Sequence, residues 1–183
     1  MQRTPQRIAT ELYVLEMQAG KRSGFEPLYA QWTPILLAHC RRQLNQRADA
    51  QDAVQQVWIK ALRGIGALKD PACFAAWILR IAHVTCVDII RRSSRSQAVY
   101  AELSQQPEAE QPSPTQPEHM DLRRAIRELP TQQQDILSLH YTYGFSMGEI
   151  AHVLGIPAGT VKSRLSTART VLASILEKGE HHE

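Results

Sequence analysis

The sequence predicts an all-α protein: two small helical domains joined by a flexible linker, the C-terminal one a helix-turn-helix. Three observations predict it. Every apolar period along the chain is helical, and no stretch alternates as a strand does. Between Ser96 and Glu118, glutamine and proline displace the apolar residues. From Phe145 to Arg169 the chain reads as two helices separated by a tight turn containing Gly155.

The first helix is marked by Ile8, Leu12, Leu15 and Ala19 and ended by Gly20. A second runs over about 24–45, striped by Phe25, Leu28, Tyr29, Trp32, Ile35, Leu36 and Cys40, with a kink or break predicted at Pro34. A third starts at Asp49. Its inward face is Ala53, Val54, Val57, Trp58, Ala61, Leu62 and Ile65, and its outward face holds Asp52, Gln55, Gln56, Lys60 and Arg63. A loop over 64–71 follows, with two glycines, Lys69 and Pro71. Phe74, Trp77, Ile78, Ile81, Thr85 and Ile89 then stripe a fourth helix that ends at Arg91 and Arg92. These elements place the N-terminal domain at 7–95.

Residues 96–118 combine glutamines with Pro107, Pro112, Pro114 and Pro117, and add Glu102, Glu108 and Glu110. Such a composition cannot bury a core and predicts an extended linker. The C-terminal domain is placed at 119–178. A short helix over 121–129 ends at Pro130. Thr131 is expected to cap the next, whose Ile136, Leu137, Leu139 and His140 pack beneath the helix pair.

In that pair Ser146 and Glu149 have the capping-box spacing. Ile150, Ala151, Val153 and Leu154 give an apolar face, Gly155 a C-cap, and Pro157 a block to continuation. The second helix restarts near Ala158 or Gly159 and buries Val161, Leu165, Ala168 and Leu172. Thr160, Lys162, Ser163, Arg164, Ser166, Thr167 and Arg169 fall within or just beyond its first two turns. They are cationic or hydrogen-bonding, as contact with bases and phosphates requires. The competing reading is a solvated face of a helical bundle.

Charge and cysteine content narrow the function class. Net charge is only +3, yet Arg91, Arg92 and Arg95 cluster, as do Lys162, Arg164 and Arg169. Local clusters on a near-neutral chain point to defined polyanion surfaces, although ordinary solvated helix charge explains them equally well. Cys40, Cys73 and Cys86 are too few and too unpatterned for a disulfide framework and read as buried apolar fillers in a reducing compartment. No metal spacing is present, and no cofactor is expected. No run of about 18 apolar residues appears, so no membrane span is expected. No signal-like apolar region opens the chain, which predicts a cytoplasmic protein.

The string Leu129-Pro130, Gln132 to Gln134, Ile136 to Leu139, Gly144-Phe145-Ser146, Glu149-Ile150-Ala151, Leu154-Gly155-Ile156-Pro157, Gly159 to Leu165 and Ala168-Arg169 resembles the C-terminal domain of the extracytoplasmic-function sigma factors of bacterial RNA polymerase. DAQDAVQQVWIKAL (from Asp49) and FAAWILRIAHVTCVDIIRR (from Phe74) resemble the N-terminal domain of the same family. The resemblance implies a promoter-specificity subunit with no catalytic group. It implies that Asp49, Asp52, Gln55, Gln56 and Lys60 meet the β′ subunit of core polymerase, with β as a further contact. It implies that the 64–71 loop with Lys69, and Arg80, His83, Arg91 and Arg92 beyond it, meet the minus-ten element. Thr160, Lys162, Ser163, Arg164, Ser166, Thr167 and Arg169 would meet the minus-thirty-five element. An anti-sigma factor is an expected partner.

Three departures from the family pattern stand out. Gln51 and Gln56 replace glutamates on the core-binding helix. Val84 replaces an asparagine near the minus-ten DNA. Ser166 and Thr167 replace a bulky residue and an arginine on the recognition helix. Two other readings compete with this one. A stand-alone helix-turn-helix regulator accounts for the C-terminal motif alone. An enzyme built on His83, Cys86 and Asp88 is disfavoured, because those spacings do not share one helix face.

Overall fold

The computed structural model describes residues 4–44, 46–99 and 120–180. The chain divides into two compact units, Met1–Pro107 and Glu108–Glu183. All regular structure among the described residues is helical, as the periodicity predicts. Residues 100–118 of the expected linker lie outside the described residues.

The first unit holds α1 (Pro5–Gln18), α2 (Phe25–Gln43), α3 (Arg47–Gly64) and α4 (Phe74–Val99). Helices α2, α3 and α4 pack on one another around Leu28, Trp32, Leu36, Val57, Phe74, Ile78 and Leu79, all buried. Two aromatic groups knit the core: Phe25, Tyr29 and Trp58 in one, Trp32, Phe74 and Trp77 in the other. Each offset or edge-on ring pair adds about 0.5–1.5 kcal/mol beyond its area.

Helix α1 corrects the sequence. Its expected stripe faces solvent: Ile8, Leu12 and Leu15 are 53%, 54% and 52% exposed. The buried line is Thr10 and Val14. Periodicity reveals a stripe but not which way it turns. Here the polar side turns inward because hydrogen bonds hold it. Thr10 Oγ1 accepts from Gln31 Nε2 at 2.9 Å, and Gln18 Nε2 donates to the carbonyls of Ile65 and Leu68 at 2.9 and 2.7 Å. The approach is also too close for a larger residue at Gly24, where a Cβ would overlap the Tyr13 carbonyl oxygen.

Other expectations shift for local reasons. Helix α2 runs unbroken through Pro34. Pro34 and Ala30, whose carbonyl loses its intrahelical donor, both lie on the exposed face, where water serves the carbonyl. Helix α3 begins at Arg47, with Asp49 in its first turn. Leu62 on the same helix is exposed rather than buried. The 64–71 loop is two short 3-10 turns, Ile65–Ala67 and Pro71–Cys73, the second capped by Asp70 through its bond from Ala72 N. Cys73 at its end is exposed, unlike Cys40 and Cys86. Helix α4 continues past Arg92 to Val99. The segment Pro71–Ser93 is long and apolar enough to cross a membrane by length and composition, which the sequence reading did not anticipate. In this unit its Phe74, Ile78, Leu79, Ala82 and Cys86 are wholly buried against the other helices.

The second unit holds α5 (Met120–Glu128), α6 (Thr131–Leu137), α7 (Met147–Leu154) and α8 (Ala158–Glu180). Helices α5, α6 and α7 all pack on α8. The core is Ala125, Ile136, Leu139, Phe145, Ile150, Val153, Val161, Leu165 and Ala168. Thr131 is the first residue of α6 rather than its cap; Pro130 takes the cap position and makes no side-chain bond. The chain leaves α6 through a π-helical turn, Ser138–Thr142.

Candidate nucleic-acid interface

The turn between α7 and α8 is fixed by its own residues. Ser146 Oγ accepts from Glu149 N at 3.3 Å, and Glu149 Oε2 accepts from Ser146 N at 2.8 Å, closing the predicted capping box. Gly155 takes φ +67°, left-handed backbone that costs a residue with a Cβ about 1–2 kcal/mol. Pro157 precedes α8, and its carbonyl accepts from Thr160 N and Val161 N. These devices aim the first turns of α8 outward.

On α8 the buried line is Val161, Leu165 and Ala168. Lys162, Ser163, Ser166, Thr167 and Arg169 are exposed, and Thr160 and Arg164 half-buried. The predicted phase holds at the exposed positions. Ser163 Oγ donates to the Thr160 carbonyl and Thr167 Oγ1 to the Ser163 carbonyl, each at 3.1 Å. These hydroxyls therefore present lone pairs outward, between flanking cations. Arg169 lies over the Tyr141 ring, 5.5 Å from its centroid. The sequence reading missed Tyr141, because the π-helical turn brings it to α8 and no local pattern announces that.

In the first unit, the outer face of α3 exposes Asp52 and Gln55, with Gln56 and Asp49 half-buried. Ile59 is exposed on the same face, one heptad beyond Asp52, and was not among the expected site residues. Lys60 turns toward α4, where its Nζ donates to Thr85 Oγ1 at 2.8 Å. Lys69, Arg91 and Arg92 are exposed, and Arg80 and His83 half-buried. Gly64 sits under Trp77, where a Cβ would lie 3.2 Å from the indole; Gly66 faces open space.

Behind His83 lies a polar cluster that the sequence reading did not find. Gln43 Nε2 is 2.8 Å from His39 Nε2 and 3.1 Å from His83 Nδ1. His39 is wholly buried, and burial, with the charges of Arg42 and His83, pushes its pKa down to about 3. Burial and the Arg80 guanidinium lower that of His83 as well. His39 and Gln43 stand four apart on α2, a usable local signal. His83 joins them only through the packing of α4.

Residues 28–96 match the Sigma-70 region 2 family and residues 119–172 the Sigma-70 region 4 family. The chain is 30% identical over 158 residues to the ECF RNA polymerase sigma factor SigM of Mycobacterium tuberculosis, covering 86% of this chain and 80% of that one. It is 28% identical over 170 residues to the RNA polymerase sigma factor YlaC of Bacillus subtilis, covering 88% and 97%. Its fold is similar to that of the sigma factor RpoE co-crystallised with the anti-sigma factor NepR from Bartonella quintana. That likeness has a TM-score of 0.68 and 23% identity, over 84% of this chain and 96% of the other. The fold is also similar to that of CnrH in complex with the cytosolic domain of CnrY, with a TM-score of 0.62 and 22% identity, over 93% and 98%.

Proposed function

The chain belongs to the extracytoplasmic-function group of bacterial sigma factors, and from that premise we propose how its residues serve RNA polymerase. It is a non-catalytic subunit that directs core polymerase to promoters and assists their opening. The observation that carries this over a stand-alone regulator is the pair of matches in order on one chain, 28–96 and 119–172. A regulator needs only the second. It works where polymerase works, in the cytoplasm.

The domains are 7–95 and 119–178, and the expected tether of 96–118 begins only after α4, the first domain's last helix, which runs on to Val99. Asp49, Asp52, Gln55 and Gln56 on the outer face of α3 meet β′, joined by Ile59. Lys60 contributes less, since its ammonium is turned to Thr85. The 64–71 turns, with Lys69, Arg80, His83, Arg91 and Arg92, meet the minus-ten element. The open flank of Gly66 admits an unstacked base, whereas the space at Gly64 is taken by Trp77. Thr160, Lys162, Ser163, Arg164, Ser166, Thr167 and Arg169 meet the minus-thirty-five element in the major groove. An anti-sigma factor is the expected further partner, the similar RpoE structure being a complex with one.

The test is run-off transcription from a random promoter library with core polymerase and this chain. New start sites that require both components are expected, sharing two sequence elements. Binding of duplex by the chain alone as a dimer on paired half-sites, with start-site choice by core unaltered, overturns the reading in favour of the regulator.

A further inference from the structure

We infer that Gln43 is a positioning residue for promoter recognition: it holds the His83 ring with the Nδ1 lone pair inward and Nε2–H outward, so that His83 reads a hydrogen-bond acceptor on a base edge. This rests on the reading that α4 meets the minus-ten element.

The chemistry of the cluster carries it. An amide nitrogen has two hydrogens and no lone pair to offer. Its two short contacts, to His39 Nε2 and His83 Nδ1, use both hydrogens and require an unprotonated nitrogen at each ring. The proton of neutral His83 is thereby placed on Nε2. Among the described residues Nε2 makes no hydrogen bond, and it keeps contact with solvent. The surroundings hold the ring uncharged: burial acts most strongly, the Arg80 guanidinium flanks it on α4, and the His39 ring faces it from α2 with centroids 6.1 Å apart. A ring fixed in tautomer, orientation and charge state is a poor phosphate clamp and a good reader of a single acceptor, such as purine N7, guanine O6 or thymine O4. The amide of Gln43 is held by a second ring that is itself wholly buried, so the outward donor is braced from the core of the unit.

Two measurements test this on the full chain. Nitrogen-15 NMR of the histidine rings at neutral pH should show His83 protonated at Nε2; protonation at Nδ1 overturns the inference, and this readout needs no variant. The second is holoenzyme binding to a library of minus-ten variants, with core affinity as the control for folding. His83→Ala and Gln43→Leu should each erase preference at the same single base position, by roughly 5- to 150-fold. Gln43→Met is close to glutamine in length and volume but donates no hydrogen, so it releases the ring proton to either nitrogen. It should lose the same preference, which a role in packing alone does not predict. The salt slope should be unchanged in His83→Ala. A slope reduced by about 0.9 means a cation on phosphate and overturns the inference. If His83→Ala leaves every base preference intact, the placement of α4 on the minus-ten element fails. If His83→Ala loses the preference while both Gln43 variants keep it, that placement stands and the role of Gln43 fails.

Discussion

Single side chains set the angle at which the second unit meets DNA. The Ser146 and Glu149 box satisfies donors that the start of α7 would otherwise leave bare. Ser146→Ala should cost about 1 kcal/mol, and Gly155→Ala, with its left-handed backbone, about 1–2 kcal/mol. Thermal melts of the second unit's transition check both. Lys162 is exposed on the first turns of α8. If it pairs with phosphate, Lys162→Ala weakens all promoters alike and lowers the salt slope by roughly one. Binding measured over a range of potassium concentrations checks this. Relaxed preference at one base position, without a change of slope, instead assigns Lys162 to a base edge. Arg169 differs because the Tyr141 ring restrains it. Tyr141→Ala should therefore weaken minus-thirty-five binding without altering its consensus, read by binding-site selection with the reconstituted holoenzyme.

At the scale of elements, α1 makes the sharpest stability prediction. Its leucine stripe lies in solvent while Val14 is wholly buried. Leu12→Ser should change stability by no more than about 0.5 kcal/mol. Val14→Ala removes buried methyls and should cost roughly 1–3 kcal/mol, and Leu28→Ala about 2–5 kcal/mol. Urea denaturation followed by circular dichroism separates these values. The same helix shows what the sequence could and could not tell. Helices α7 and α8 were legible because their signals are local: a cap three residues from its partner, a glycine at the turn, a proline beyond it. The face of α8 was legible because it presents an apolar stripe to three neighbouring helices; that of α4 was only partly so, since Leu79, Ala82 and Cys86 are buried while the expected Trp77, Ile81 and Ile89 are half-buried. The phase of α1 was not, since a hydrogen-bonded Thr10 and a close approach at Gly24, beyond the end of the helix, decide it, and neither disturbs the period of the leucines. The site follows the same division. Lys162 and Asp52 fall on exposed faces as their spacing requires. Gln43 and Tyr141 act through contacts that only the fold creates, as does the inward turn of Lys60 to Thr85.

At the scale of the whole molecule, the two units should melt in separate transitions, and His39 should tie one of them to pH. Its folded pKa of about 3 lies below the unfolded 6.5. Between those values the unfolded chain binds the extra proton. Stability of the first unit is therefore intact above about pH 6.5 and is lost as pH falls toward 3. The full loss is roughly 5 kcal/mol by the usual linkage arithmetic, a large share of what a small domain has. Calorimetry from pH 7 to pH 4 should show one transition moving down, and His39→Leu should remove this component of the slope. The distribution of aromatic side chains has an optical consequence. The chain's tryptophans, Trp32, Trp58 and Trp77, all belong to the first unit. Indole emission thus addresses one half of the protein and is blind to the other. Trp77, stacked over Gly64 at the mouth of the 64–71 turns, is the natural quenching partner for a base that enters beside Gly66. A ligand that engages α8 alone leaves the spectrum still, so the unlabelled protein reports which of its halves has been touched.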